Sequence, residues 1–418
     1  MRIRPPRGGF GRSALLLPLV LLVNGSIPAA PVADAGDTLR VTWNDCQPLV
    51  EAHPRLAAAR ASVQAAAGAV REAAALPNPE GDLRLLSVDP RHGGEAAREE
   101  EFALGLPLDW IWTRPGRLSS ARAGEALAAV EAELVTRELT LELAEAFWVL
   151  AGDQARAATL DDLDRHMQDL RRAIAIRVQL GESRPVEAAR IDVEALRQQA
   201  EADAARRALE LSRRRLAQWL PAAAGVPLVV ETDIFQLPAP PDEGAPGEHA
   251  RLRAAQASIR AERGALAAER AGLLPRLELH GSLERADDRL ARGVGLTLDL
   301  PLFNWNRGRI GQARARLREA QAGLDEERRR LAMDLAEAES ACGTSLATAR
   351  SYRDEILPRA EEAALALEKG WRLGEANLFE LIDARRLLGS IRREAIEACV
   401  QAQVDRLRLG MLLEKEIY

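Results

Sequence analysis

The hydrophobic positions of this chain change period at a few sharp places, the clearest within residues 293–317, GVGLTLDLPLFNWNRGRIGQARARL. Val294, Leu296, Leu298, Leu300 and Leu302 alternate with Gly295, Thr297, Asp299 and Pro301, the period of two that gives a strand one apolar face. After Phe303, Asn304 and Trp305 the period lengthens, and from Gly308 a helical pattern continues for about sixty residues. Leu277, Leu279 and Leu283 alternate with Glu278, His280, Ser282 and Glu284 in the same way. A weaker alternation runs through Leu83 and Leu85 and through Phe102, Leu104, Leu106 and Leu108. The pattern therefore predicts four strands, near 80–89, 100–110, 276–284 and 293–302, each apolar on one side.

These elements are written twice. His53-Pro54-Arg55-Leu56 opens an Ala-rich helix that ends at Leu76-Pro77-Asn78-Pro79, and His249-Ala250-Arg251-Leu252 opens another that ends at Leu273-Leu274-Pro275. Gly68 matches Gly264, Leu106-Pro107-Leu108 returns as Leu300-Pro301-Leu302, and Gly116-Arg117-Leu118 returns as Gly308-Arg309-Ile310. Leu180-Gly181-Glu182 returns as Leu373-Gly374-Glu375. Matches in constant order at a nearly constant offset mark a duplicated unit. Each unit reads helix, strand, loop, strand, very long helix, tight turn, shorter helix. The predicted helices are 47–76, 117–180 and 186–219 in the first unit and 248–274, 308–373 and 378–415 in the second. The divisions that follow are a leader over 1–35, a first repeat over 36–219, a linker over 220–247 and a second repeat over 248–418. The linker holds many prolines and one short apolar run, Pro227-Leu228-Val229-Val230.

A helix of that length reaches roughly 96 Å at about 1.5 Å per residue. The return helix and the opening helix of a unit together match it, so half-length helices stacked end to end can flank each long one. The result is a rod of four columns with no single central core. Spacings of seven at Leu317, Leu324 and Leu331, and at Leu127, Leu134, Leu141 and Trp148, support coiled-coil contacts between columns. Pro358, inside the second long helix, is expected to bend it.

Helices that run off along a rod leave the strands without cover from their own chain. Trp110, Trp112, Phe303 and Trp305 cluster where strands end, the place where an outer-membrane barrel sets aromatics at headgroup level. Four strands cannot close a barrel, and an open edge in hydrocarbon leaves backbone groups unpaired at several kcal/mol each. The missing strands must come from further copies: two chains give the smallest barrel, and three give twelve strands with a lumen.

Composition sharpens this picture. Of 418 residues 47% are hydrophobic, but Ala and Leu supply most of these and aromatics only 4%; with 29% charged residues the balance is that of long helices. A net charge of -6, with no basic block, argues against nucleic acid as a partner. Arg2, Arg4, Arg7 and Arg12 precede an apolar run over 13–23 and small residues around Ala29-Ala30, the form of an export signal. Cys46, Cys342 and Cys399 show neither close pairing nor metal-ligand spacing, and read as small apolar packing residues. The five histidines (His53, His92, His166, His249 and His280) are scattered, no Gly-rich phosphate loop follows a strand, and no nucleophile has an evident base. The reading is of a protein that is not an enzyme and carries no cofactor or metal. The alternatives are a periplasmic adaptor, which would carry one hairpin between lipoyl-like β modules, and a structural coiled-coil rod, which would have no strands.

The chain also resembles a known family over essentially all of its mature length. The residues that carry the resemblance are Ala75-Leu76-Pro77-Asn78-Pro79, the junction from Leu300-Pro301-Leu302-Phe303-Asn304 to Gly308-Arg309-Ile310, Ile356-Leu357-Pro358, and Gly374 through Leu381-Ile382-Asp383-Ala384. They are similar to the TolC-type outer-membrane efflux proteins, and closest to the heavy-metal (cobalt–zinc–cadmium) cation efflux branch. The resemblance implies a mainly α-helical fold with transmembrane β: a homotrimer with a 12-stranded barrel in the outer membrane of a Gram-negative bacterium and a 12-helix tunnel across the periplasm. It further implies that the protein is surrounded by outer-membrane lipid and meets a periplasmic adaptor (membrane fusion) protein and an inner-membrane efflux pump of RND type. On this resemblance Gly181, Glu182, Trp371, Gly374 and Glu375 lie at the adaptor-binding tip, and Glu187, Glu380 and Asp383 correspond to acidic rings at the closed entrance. Ala376 falls where some members carry an arginine that ties the closed state, which leaves Arg184, Arg190 or Arg385 as substitutes. Glu380 and Asp383 share a helical face, so that by symmetry they would form rings attracting cations; the plainer reading is a pair of acids favourable to a helix N-terminus.

Overall fold

The computed structural model describes residues 38–88, 97–220, 226–239, 249–286, 289–301, 303 and 305–414. The export signal expected over 1–35, both hairpin loops, Leu302, Asn304 and parts of the linker lie outside the described residues. The chain begins with β1 (Leu39–Val41), α1 (Trp43–Glu51) and α2 (Pro54–Ala74), followed by β2 (Glu80–Val88), β3 (Ala97–Pro107), α3 (Trp110–Gln179) and α4 (Pro185–Ala217). After β4 (Leu228–Val230) the order repeats as α5 (Ala250–Ala271), β5 (Arg276–Ala286), β6 (Arg289–Asp299), α6 (Arg307–Ser351), a π-turn over Tyr352–Ile356, α7 (Leu357–Leu373) and α8 (Leu378–Leu412).

The repeat extends to individual contacts. His53 Nδ1 accepts the Arg55 amide at the start of α2 (3.2 Å), and His249 Nδ1 accepts the Arg251 amide at the start of α5 (3.2 Å). Arg55 then pairs with Glu142 of α3 (2.7 Å), as Arg251 pairs with Asp334 of α6 (2.6 Å). The 70-residue α3, about 105 Å long at about 1.5 Å per residue, is flanked by α2 and α5 along one half and by α4 and α8 along the other. These contacts make the columns that the helix lengths predict.

Three local departures from the sequence reading have plain causes. The opening helix is split into α1 and α2 because Pro54 forces His53 into an extended conformation (ψ 135°). The first long helix starts at Trp110, not near 117, since the Asp109 carbonyl accepts both the amide and the hydroxyl of Thr113, and Pro115, in the second turn, forfeits a single bond to the Ile111 carbonyl. The second long helix accommodates Pro358 by widening into the π-turn just before it.

The largest buried cluster lies midway along the rod. Leu139, Leu143, Phe147 and Leu150 of α3 are wholly inaccessible and meet Cys46, Val50, Leu56 and Leu216. Trp43 and Trp148 close on Phe147 edge-to-face at 5.7 and 5.6 Å. Here β1 and β4 pair in parallel, Leu39 with Leu228 and Val41 with Val230, and the Gln154 side chain exchanges two hydrogen bonds with Val230, at 2.8 and 3.1 Å. The segment after β4 is strapped to the helices by carbonyls: Arg353 reaches the Phe235 oxygen (3.2 Å), Gln403 that of Gln236 (2.8 Å) and Arg406 that of Ala239 (2.9 Å). All three cysteines are buried and free, and burial pushes the Cys46 thiol up to about 12 and the Cys399 thiol up to about 11.

Candidate functional site

The four longer strands form one antiparallel sheet in the order β2-β3-β5-β6. Register places like with like towards the helices, while Glu100, Arg285 and Arg292 fall on the same side nearer the hairpin loops. Leu83 faces Phe102, Phe102 faces Leu283, Leu106 faces Leu279, Leu279 faces Leu296 and Leu277 faces Leu298, all on one side. The other side carries acids, His280, Ser282, Thr297 and glycines. Among the described residues no helix covers the apolar side: Val294 is 84% exposed, Leu85 71% and Leu83 66%. Strands β2 and β6 are both open edges. Where the strands leave the sheet, Phe303 is 98% and Trp305 56% exposed, while Trp110 and Trp112 stand half-buried on the first turn of α3. His280 sits on the polar side over Gly295, its Nδ1 3.3 Å from the Thr297 hydroxyl.

The opposite end of the rod is made of two tight turns. Gly181 (φ 77°) and Gly374 (φ 79°) are left-handed, and the amides after them return to the helix at 2.8 Å, Glu182 to the Arg177 oxygen and Glu375 to the Gly370 oxygen. A side chain with a Cβ would strain both turns. Cation–π contacts join the two hairpins: the Arg177 guanidinium lies 5.0 Å from the Trp371 ring and Arg190 4.4 Å from the Phe379 ring. Ion pairs from Arg386 to Glu194 and from Arg393 to Glu201, both 2.6 Å, join α8 to α4. Trp371 packs half-buried on a cluster of Met167, Ile174, Ile191, Leu378 and Ile382.

The structure gives each of the three acids expected at the entrance a specific neighbour. Glu380 is the third residue of α8, and its carboxylate accepts the Asn377 amide (3.1 Å) while its own amide donates to Asn377 Oδ1 (2.9 Å), a reciprocal cap. Glu187 holds the equivalent place in α4, 3.4 Å from Arg184. Asp383 is largely exposed, 4.0 Å from Arg386. Arg385, Arg184 and Arg190 are engaged in turn with Glu368, Glu187 and Phe379. Sequence spacing could not reveal the cation–π and ion-pair links between hairpins, because each joins residues close to 200 positions apart. Among the described residues no group of three or more His, Cys, Asp or Glu could hold a metal ion, and no helix is long and apolar enough to cross a membrane.

A sheet with one bare apolar face and two open edges, set at one end of a rod of helices, is a fraction of a transmembrane barrel. Residues 245–413 match the family model described as outer membrane efflux protein. The cobalt-zinc-cadmium resistance protein CzcC of Cupriavidus metallidurans is 27% identical over 350 residues, 80% of each chain. The outer-membrane protein VceC of Vibrio cholerae superposes with a TM-score of 0.74 at 17% identity, over 90% of this chain and 97% of that one. The CmeC outer-membrane channel of Campylobacter jejuni gives 0.77 at 13% identity, over 89% and 85%. Residues 245–413 thus carry the pattern of the outer membrane efflux proteins, and the chain as a whole has the fold of TolC-like outer-membrane channels. It is an outer-membrane channel with a periplasmic helical extension, not an enzyme, and the family implies a trimer working in a tripartite efflux system. Neither alternative from the sequence, adaptor or rod, accounts for two helical hairpins alternating with two β-hairpins.

Proposed function

We propose that the channel is a cation-preferring exit duct and that its cargo is a divalent heavy-metal cation. The observation that carries this is the charge on the polar side of the sheet. Glu80, Asp82, Glu99, Glu101, Glu278, Glu284 and Asp299 lie there against Arg84, Arg276 and Arg289. A narrow, low-dielectric lumen focuses such a field and concentrates cations within it. The likeness to a protein named for cobalt, zinc and cadmium resistance supports the same cargo. An inner-membrane pump of RND type would supply it through a periplasmic adaptor seated on the turns around Gly181, Glu182, Trp371, Gly374 and Glu375. Glu187, Glu380 and Asp383 would then ring the periplasmic entrance. The cation would pass by diffusion along the field, since all the work is done by the pump.

Reversal potentials across a planar bilayer under a salt gradient test this reading. Wild-type channels should prefer cations, Glu101→Gln with Glu278→Gln should weaken the preference, and Glu380→Ala with Asp383→Ala should weaken it further. An anion-preferring wild type would end the cation reading, and an unchanged preference in the second double variant would remove those acids from the entrance. A deletion strain should become sensitive to zinc, cobalt and cadmium; normal growth on all three would remove the metal cargo.

A further inference from the structure

We infer that the chain carries within itself the residue-level plan of the seam between neighbouring copies, including strand register, one cross-seam ion pair and one close helix crossing. The inference rests on the trimeric channel reading and deepens it. Its basis is that one kind of interface occurs once inside the chain and is left half-made at the chain's two outer faces.

Inside the chain, the first repeat meets the second where β3 pairs with β5 and α3 crosses α5. The crossing depends on two glycines. A Cβ on Gly116 of α3 would stand 2.5 Å from the Ala268 backbone nitrogen, and a Cβ on Gly264 of α5 would collide with the Ser120 backbone. The repeat carries Gly116 onto Gly308 and Gly264 onto Gly68. Among the described residues, no atom beyond their own helix backbone comes within 4 Å of where a Cβ on Gly308 or Gly68 would stand. The same pair of helix faces, smooth at the same positions, is thus closed once within the chain and open at both its ends. A second copy, and specifically the opposite repeat of that copy, is the surface with the matching shape.

The strands give the register. The pair Glu80–Gly105 of β2 and β3 corresponds to the pair Arg276–Asp299 of β5 and β6. The in-chain pair Gly105–His280 therefore translates into Asp299 of β6 against Arg84 of β2 in the neighbouring copy. Leu104–Gly281 becomes Leu298 against Leu85, and Leu106–Leu279 becomes Leu300 against Leu83. Apolar meets apolar on the lipid side, and a carboxylate meets a guanidinium on the lumen side. Arg84 already lies 3.7 Å from Glu101 on its other flank, and Asp299 is in register with Arg276. The seam completes a row of alternating charge: Glu101, Arg84, Asp299, Arg276. A shift to the next position on the same face would place Thr297 or Pro301 opposite Arg84 and break that row. The Leu108 amide donates to the Leu277 oxygen (2.7 Å), which makes Gly105–His280 a non-hydrogen-bonded pair. Its seam equivalent then brings side chains close enough for a disulfide.

Cysteine cross-linking of the full chain in outer-membrane extracts tests the plan. Arg84→Cys with Asp299→Cys should give, on oxidation, a covalent trimer ladder that a reductant removes. Arg84→Cys with Thr297→Cys should give none, and neither should wild type, whose three thiols are buried. Gly68→Leu and Gly308→Leu should each abolish the trimer while leaving the helical circular dichroism of the chain unchanged, because no neighbouring element among the described residues comes within 4 Å of where their Cβ would stand. A trimer that cross-links through Thr297 instead of Asp299, or that survives both glycine substitutions, would overturn the seam and leave the trimeric channel standing. A wild-type chain that is monomeric by light scattering would overturn both.

Discussion

Leucine is used in opposite ways at the middle and at the end of this molecule. In the middle, Leu139, Leu143 and Leu150 are wholly buried around Phe147 by helices of the same chain, each worth about 1.5–3 kcal/mol of burial. At the end, Leu83, Leu85, Leu296 and Val294 stand exposed, uncovered by any described helix of the chain. The first region is complete in one copy. The second is stable only when lipid covers its face and neighbouring strands close its edges. One chain therefore contains a soluble core and a membrane part, and the division falls where helix gives way to strand.

Phe147→Ala attacks the side of this contrast that is complete in one chain. It should cost about 3–5 kcal/mol and lower the thermal midpoint of the helical signal, because nothing can collapse around α3 between Trp43 and Trp148. Leu296→Arg attacks the other side. It should leave the helical signal of the detergent-solubilised protein nearly intact but reduce the folded fraction in outer membranes, at about 2–4 kcal/mol for a cation at mid-bilayer depth. If the two substitutions affected the same property equally, the contrast would be wrong.

A smaller effect comes from His249, which is 4% exposed and caps α5 through Nδ1. Burial, reinforced by Arg251 and Arg137 and opposed by Glu414, holds its imidazole below the ordinary value. A histidine whose folded pKa is depressed contributes stability above the unfolded pKa of about 6.5, and loses it as pH falls from there towards the folded pKa. The midpoint of the wild type should therefore drop between pH 7 and pH 5 more than that of His249→Asn, whose amide oxygen caps without titrating. Parallel pH profiles would refute the cap. Smallest of all, Asn377→Ala should remove one half of the reciprocal cap with Glu380 and cost about 1 kcal/mol, read as faster amide exchange confined to the tip.

Much of this was legible in the residues. The duplication, the four strands, the long helices and the turn glycines all rest on patterns longer than a few residues or on conformations that favour glycine, such as the left-handed Gly181 and Gly374. What escaped is short or non-local. Strands β1 and β4 are three residues each, too brief to show a period, and they pair across almost 190 positions. The π-turn is one widened turn with no composition of its own beyond the nearby Pro358. Glu380 reads equally well from sequence as a lining acid or as a cap; only the geometry at Asn377 shows that its carboxylate is already engaged by its own helix.

The most direct test of the central claim is the state of the wild-type protein in fractionated cells. After alkaline carbonate washing of outer membranes, the chain should stay in the pellet and run as a detergent-stable trimer by light scattering. Recovery as a monomer in the periplasmic fluid released by osmotic shock would contradict it.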